Sequence, residues 1–121
     1  MKNDNVIVDK SFAFAIKVVK AYRHLTQEKS EYVLSKQLLR SGTSIGANVE
    51  EAIGGQSEAD FAAKLGIAYK EARETSYWIR LLRETDYLSE KTATSLLSDT
   101  EEIQRIIGSI RVTIKRKAKN S

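Results

Sequence analysis

The sequence predicts an all-α protein that folds as an antiparallel up-down-up-down four-helix bundle. The 121 residues contain no proline, so long uninterrupted helices are permitted almost throughout the chain. Apolar residues recur at intervals of three and four along four segments of similar length, as they do on the buried faces of packed helices. The predicted turns between these segments are only about three to five residues long, and such short connections make neighbouring helices run antiparallel.

The four helices are expected to form a single domain over residues 1–121. They are predicted at about 9–28, 30–53, 57–84 and 89–117. A serine stands before three of them as the candidate N-cap: Ser30, Ser57 and Ser89. Asp9 and Ser11 are the alternative caps of the first helix. Gly54 and Gly55 are expected to end the second helix in left-handed backbone conformations.

Two of the predicted helices have more apolar residues than one buried stripe needs. On the first helix, Phe12, Ile16 and Val19 form the predicted main face. On the third helix, the main stripe runs from Phe61 to Leu82 at heptad spacing. The surplus apolar residues beside these faces are Phe14, Val18, Tyr77, Trp78 and Leu81. An exposed apolar patch usually marks an interface, so these residues predict contact between copies of the chain.

The second helix carries small and polar residues on its predicted buried face. Gly42 and Gly46 predict that another backbone approaches closely there. The polar residues are expected to meet Glu71 of the third helix in a layer that fixes helix register. This predicted polar layer comprises Arg40, Ser41, Ser44, Asn48, Glu51 and Glu71. The carboxylates of the two central helices also suit general acid–base chemistry, but a structural layer or plain solvent exposure is the favoured interpretation.

Several classes of functional site lack the residues they need. The chain has no cysteine, which excludes disulfides, thiol nucleophiles and cysteine-based zinc sites. The single histidine, His24, lacks the Glu-x-x-His spacing of a di-metal bundle site. We therefore predict a protein that is not an enzyme and holds neither cofactor nor metal. No export signal or membrane-spanning apolar stretch is seen, so a cytoplasmic location away from the membrane is expected.

Positive charge is concentrated at the end of the chain. The net charge is +4, but no acidic residue follows Glu102. The cations after it are Arg105, Arg111, Lys115, Arg116, Lys117 and Lys119. The last 19 residues thus carry +6 and the rest of the chain −2. This distribution predicts contact with the phosphates of RNA or DNA. The alternative is that the cations merely suit a helix C-terminus and keep the chain soluble.

Three motifs on the second and third helices resemble a known family. Residues 37–51 follow the pattern Gln-Leu-x-Arg-Ser-x-x-Ser-Ile-x-x-Asn-Val-x-Glu. Residues 61–68 read Phe-x-x-x-Leu-x-Ile-Ala, and residues 70–75 read Lys-Glu-Ala-Arg-Glu-Thr. The chain is thereby similar to bacterial four-helix-bundle proteins named after intervening sequences in 23S ribosomal RNA genes. It departs from many relatives at Ala52, where they have glycine.

The resemblance implies properties that residue patterns alone do not supply. It implies a homopentameric barrel, and a related branch of accessory proteins from diversity-generating retroelements binds nucleic acid and a reverse transcriptase. It carries over no catalytic residue. We therefore expect an oligomeric binding protein that contacts RNA or DNA through basic surfaces. The alternative is a structural or protein–protein interaction module with no nucleic-acid role.

Overall fold

Four long helices form the described part of the chain. A computed structural model describes residues 2–120, and the side chains from residue 6 onward. The helices are α1 (Lys2–Gln27), α2 (Leu34–Ile53), α3 (Glu58–Glu84) and α4 (Glu90–Asn120). Each packs against its neighbours along the chain, and α1 also packs against α4, which closes the bundle. The predicted all-α four-helix bundle is confirmed.

Ion pairs across the α1–α4 contact show that these helices are antiparallel. Lys10 Nζ lies 3.1 Å from Glu102 Oε1, and Lys17 Nζ lies 2.5 Å from Asp99 Oδ2. Residue numbers therefore rise along α1 as they fall along α4. The basic end of α4 consequently lies at the same end of the bundle as the start of α1 and the α2–α3 turn.

The core is built from one apolar stripe on each helix. Its largest fully buried members include Phe14, Leu25, Leu38, Ile45, Leu65, Ile79, Ile103 and Ile107. Burial of each such side chain contributes about 1.5–3 kcal/mol relative to exposure, so the stripes supply most of the driving force for packing. The predicted faces of α3 and α4 are confirmed by the burial of Leu65, Ile79, Ile103 and Ile107.

Helix α1 begins earlier and buries a different face than the spacing suggested. It starts at Lys2 rather than near Asp9, so Asp9 and Ser11 lie within the helix and do not cap it. Nothing in residues 2–9 breaks a helix, and Ile7 extends the buried stripe of Phe14 by one heptad. Of the residues expected on the main face, Phe12 is 64% exposed and Ile16 is 44% exposed, while Val19 is half-buried.

The start of α2 is capped by Glu31 rather than by Ser30. Ser30 has a φ of 53°, in the left-handed region, and belongs to the turn after α1. The Glu31 carboxylate accepts the backbone N–H of Ser35 at 2.6 Å and that of Leu34 at 3.0 Å. These bonds satisfy donors that the first turn of a helix leaves unpaired. Helix α2 therefore begins at Leu34, four residues later than predicted.

Close approach of α1 and α2 occurs where glycine was expected to permit it. A Cβ on Gly46 would lie 3.4 Å from the carbonyl oxygen of Ser11, so the two backbones are nearly in contact. The predicted end of α2 at Ile53 is also confirmed. The left-handed conformations expected at Gly54 and Gly55 are wrong, since no described glycine has a positive φ. A Cβ on Gly55 would instead lie 2.9 Å from Asp60 Oδ2 and 3.0 Å from the Ala52 carbonyl oxygen, so a side chain there would require these neighbours to shift.

The caps of α3 and α4 agree with the sequence-based expectation. Ser57 Oγ accepts the N–H of Asp60 at 3.0 Å, and Ser89 Oγ accepts the N–H of Thr92 at 3.1 Å. Helix α4 continues to Asn120, three residues beyond its predicted end. Its basic residues are therefore displayed on a regular helix rather than on a frayed tail.

Candidate nucleic-acid interface

The predicted basic residues all lie on exposed turns of α4. These are Arg105, Arg111, Lys115, Arg116, Lys117 and Lys119. At about 100° per residue, all except Lys117 fall within an arc of about 140°. This arc faces away from the buried stripe of Ile103, Ile107 and Ile110. We call these five side chains the basic face: Arg105, Arg111, Lys115, Arg116 and Lys119.

The basic face forms no ion pair with the carboxylates of the part of the chain that the structure describes. Within the described part of the chain, no carboxylate lies within ion-pair distance of any of its five members. Arg111 lies against α3 at Gly66, where a Cβ would come within 3.6 Å of its guanidinium. Lys117 lies on the flank that turns toward α1. The basic face therefore retains its charge for an external anion.

The neighbouring α2–α3 turn limits how far this positive surface extends. Glu50, Glu51, Glu58 and Asp60 are exposed there, at the same end of the bundle. Glu51 pairs with Lys64 of α3 at 3.7 Å. A polyanion is therefore favoured on the outer side of α4 and disfavoured over the turn.

The predicted polar layer forms only in part. Arg40 reaches from α2 to α3, where Nη1 lies 3.4 Å from Glu71 Oε2 and Nη2 contacts the Glu74 carboxylate. Glu74 Oε2 also accepts the indole N–H of Trp78 at 2.9 Å. The Glu71 side chain is 20% exposed, so this cluster lies at the edge of the core. Glu74 and Trp78 were not expected in it.

The other predicted members of the layer are satisfied elsewhere, which corrects that expectation. Buried Ser41 donates its hydroxyl hydrogen to the carbonyl of Gln37, one turn back on its own helix. Asn48 Nδ2 donates to the Ser44 carbonyl at 2.8 Å, while Glu51 pairs with Lys64. A short polar side chain on a helix reaches its own preceding turn more easily than a neighbouring helix.

The predicted interface residues of α1 are part of the core. Phe14 is 1% exposed and Val18 is 0% exposed, so neither reaches a second copy of the chain. The large apolar side chains that the described part of α1 exposes are Val6, Phe12 and Ile16, at 38%, 64% and 44%. On α3, Tyr77 is exposed while Trp78 and Leu81 are half-buried. In the sequence, the buried face of α1 is indicated by Ile7, which shares a heptad position with Phe14.

The side chains that the structure describes, from residue 6 to residue 120, form no arrangement typical of a metal centre. No group of three or more metal-ligating side chains comes together among them. His24 is exposed and contacts Glu28, one turn further along α1. None of the described helices is both long and apolar enough to cross a bilayer.

A known protein family matches most of this chain. The sequence profile of a family described as 23S rRNA-intervening sequence protein matches residues 3–109. The chain belongs to the 23S rRNA intervening-sequence protein family. It is also similar to a crystal structure of a protein with unknown function from the S23 ribosomal protein family of Bacteroides thetaiotaomicron. The two are 50% identical over 93% of this chain and 98% of that chain, with a TM-score of 0.89. A search of curated proteins finds no match.

The match to the 23S rRNA intervening-sequence protein family ends before most of the basic face. It includes Arg105, but Arg111, Lys115, Arg116 and Lys119 all follow residue 109. Family membership therefore accounts for the bundle. The role of the basic face depends on the charge and geometry of this chain.

Proposed function

We propose that this protein is a non-catalytic, self-associating nucleic-acid-binding protein and that the basic face of α4 contacts the phosphate backbone. One observation carries the proposal: five exposed cations share one side of a helix, with no carboxylate partner among the described residues. Neutralising phosphates with such side chains releases condensed counterions, which favours binding. The family description mentions 23S rRNA, so structured RNA is the first ligand to test.

The composition of α4 favours backbone contact over base recognition. Residues 90–120 include no aromatic side chain on which an unpaired base could stack. Lysine and arginine on an exposed helix position a polyanion without reading its sequence. We expect the protein to prefer folded or double-stranded regions and to discriminate weakly between sequences.

Self-association is the second part of the proposal. Phe12 and Ile16 on α1 and Tyr77 on α3 leave apolar area exposed on a single chain. The resemblance to homopentameric relatives supports five copies. A ring would display five basic faces, and simultaneous contact by several of them would raise a weak affinity through effective concentration. A cytoplasmic location is part of this proposal.

The alternative is a protein–protein interaction module. Tyr32 and Val33, between α1 and α2, are 59% and 70% exposed, which suits a protein partner better than a nucleic acid. A reverse transcriptase is the partner that the resemblance suggests. This alternative predicts that nucleic-acid affinity is absent or independent of the basic face.

A mobility-shift titration with structured RNA and duplex DNA tests the proposal. The variant neutralises four cations of the basic face: Arg111→Gln, Lys115→Gln, Arg116→Gln and Lys119→Gln. The matched control neutralises two exposed arginines and two exposed lysines elsewhere: Arg23→Gln, Lys36→Gln, Lys70→Gln and Arg73→Gln.

We expect the basic-face variant to bind at least about tenfold more weakly, and the control to keep most of the affinity. Equal losses in the two variants, with both still helical by circular dichroism, would show that net charge rather than the basic face drives binding. Failure of the unmodified protein to bind either nucleic acid would favour the protein-interaction alternative.

A further inference from the structure

A cleft of about 990 Å³ opens at the end of the bundle opposite the basic face. It lies between the second half of α1, the loop joining α3 to α4, and the first turns of α4. Buried apolar side chains of Ala21, Leu88 and Leu96 form part of its lining. The volume is within the range of small-molecule sites.

The lining of this cleft is rich in cations, some of which are already paired. Lys17 contacts Asp99 and also donates to Ser95 Oγ at 2.7 Å. Arg83 lies 3.3 Å from Glu84 and 4.0 Å from Glu90. These contacts neutralise Lys17 and Arg83.

Three further lysines of the cleft have no such partner. Lys20, Lys29 and Lys91 line it from α1, from the turn after α1 and from α4. Within the described residues, no carboxylate lies within ion-pair distance of any of the three. Three ammonium groups therefore border one cleft, and none of them forms an ion pair with the carboxylates of Asp86 and Glu90 in the same lining.

Asp86 also lines this cleft, and its presence there is explained by the backbone conformation at the end of α3. Asp86 has a φ of 66°, and its N–H bonds to the Arg83 carbonyl while the N–H of Tyr87 bonds to the Leu82 carbonyl. This is a Schellman end to α3, which requires a left-handed residue and tolerates aspartate when glycine is absent. The turn therefore needs the left-handed conformation rather than the charge.

We propose that this cleft binds the phosphate group of a ligand, held by Lys20, Lys29 and Lys91. Lysine ammonium groups on flexible stems bind phosphate as point charges in variable orientations. Thr92 and Ser95 supply hydroxyl groups beside them, and the apolar lining accommodates the organic part of a small phosphate ester. The phosphate comes from a free nucleotide or from the 5′ end of a nucleic-acid strand. The proposal does not depend on the basic face.

Calorimetric titration with adenosine triphosphate, and with one oligonucleotide carrying either a 5′-phosphate or a 5′-hydroxyl, tests the cleft. The variant Lys20→Gln with Lys91→Gln removes two of the three ammonium groups. The matched control, Lys36→Gln with Lys70→Gln, removes two exposed lysines from outside the cleft. Asp86→Gly suits the left-handed backbone and removes a negative charge from the lining.

We expect the cleft variant to lower affinity about tenfold or more, the control to leave it within about twofold, and Asp86→Gly to raise it. Nucleotide binding without preference for the 5′-phosphate identifies a free nucleotide as the ligand. Preference for the phosphorylated strand, lost in the cleft variant, identifies a strand end. Absence of binding by every probe, or equal losses in the cleft variant and its control, would overturn the proposal. Lys115→Gln with Lys119→Gln separates the two sites, since it should weaken RNA binding while nucleotide affinity is retained.

Discussion

Gly42 of α2 packs directly against Val18 of α1, and a Cβ on this glycine would lie 2.7 Å from Val18 Cγ2 and 3.2 Å from Val18 Cβ. The crowding involves the base of the valine side chain, so a change of rotamer does not relieve it. The close contact of α1 and α2 therefore depends on the missing side chain at position 42.

Gly42→Ala should destabilise the bundle by about 1–3 kcal/mol, because overpacking outweighs the better helix propensity of alanine. Gly108→Ala is the matched control, since a Cβ there meets nothing within 4 Å. It should stabilise the protein by about 0.5–1 kcal/mol. Urea denaturation measures both free energies of unfolding. A stabilising Gly42→Ala would show that the helices separate easily at this point.

The Glu31 cap should make stability depend on pH in the acidic range. Burial raises the pKa of this carboxyl, but hydrogen bonds from the N–H groups of Leu34, Ser35 and Val33 outweigh it and hold the pKa below its ordinary value. Because the folded-state pKa is the lower one, the stabilisation is complete above the ordinary glutamate pKa of about 4.3. It is lost as the pH falls through the folded-state pKa.

Glu31→Gln should cost about 0.5–2 kcal/mol at neutral pH, as the loss of an N-cap does. The difference in melting temperature between the unmodified protein and the variant should shrink as the medium is acidified. Thermal melts followed by circular dichroism across this range measure it. A difference that stays constant down to the lowest pH would mean that the carboxylate charge does not contribute. Glu101→Gln is a suitable control, because Glu101 is an exposed glutamate on α4, outside the cap.

Fluorescence of Trp78, the single tryptophan, should report on the Arg40 cluster. Glu74→Gln weakens the contact with Arg40 and changes the acceptor of the indole N–H, so the emission maximum should shift. The stability cost should be only about 0.5–1 kcal/mol, because Arg40 is half exposed. Glu50→Gln, at an exposed position on α2, should leave both properties unchanged. An unchanged spectrum for Glu74→Gln would place the indole outside this cluster in solution.

Substitution of the exposed apolar residues of α1 should separate assembly from folding. Phe12→Ser with Ile16→Ser should leave a helical protein of lower mass, since both side chains are exposed in the single chain. Phe14→Ala should instead cost about 3–5 kcal/mol of folding stability. Light scattering coupled to size exclusion should give a mass near five 13.6 kDa chains for the unmodified protein. A monomer would contradict assembly, and a dimer would contradict the fivefold ring.

The sequence predicted the bundle and the buried face of most helices, because apolar residues at heptad spacing indicate directly which side of a helix is buried. Leu65, Ile79, Ile103 and Ile107 are buried as their spacing indicates. On α1 the same reasoning selected the wrong face, because Ile7 was placed before the helix and two apolar stripes of similar strength remained. Which stripe is buried depends on the partner helix, and α2 accepts Val18 at Gly42.

The candidate sites were predictable to different extents. The basic face follows from the concentration of cations near the end of the chain. Its exposure follows because Ile103, Ile107 and Ile110 occupy the opposite, buried side of α4. The cap at Glu31 was missed, because a serine is the commoner N-cap and Ser30 stood beside it. The cleft brings together Lys20, Lys29 and Lys91 from distant parts of the sequence, so only tertiary structure reveals it.

The dependence of RNA affinity on salt tests the central claim most directly. Binding through phosphate contacts predicts a linear fall of log affinity with log salt, with a slope of about −0.9 per contact on duplex regions. The variant lacking Arg111, Lys115, Arg116 and Lys119 should bind more weakly and with a shallower slope, by about one unit or more. The surface-charge control should keep the slope of the unmodified protein. An RNA affinity that does not change with salt, or an identical slope in the basic-face variant, would contradict the proposal that α4 binds the phosphate backbone.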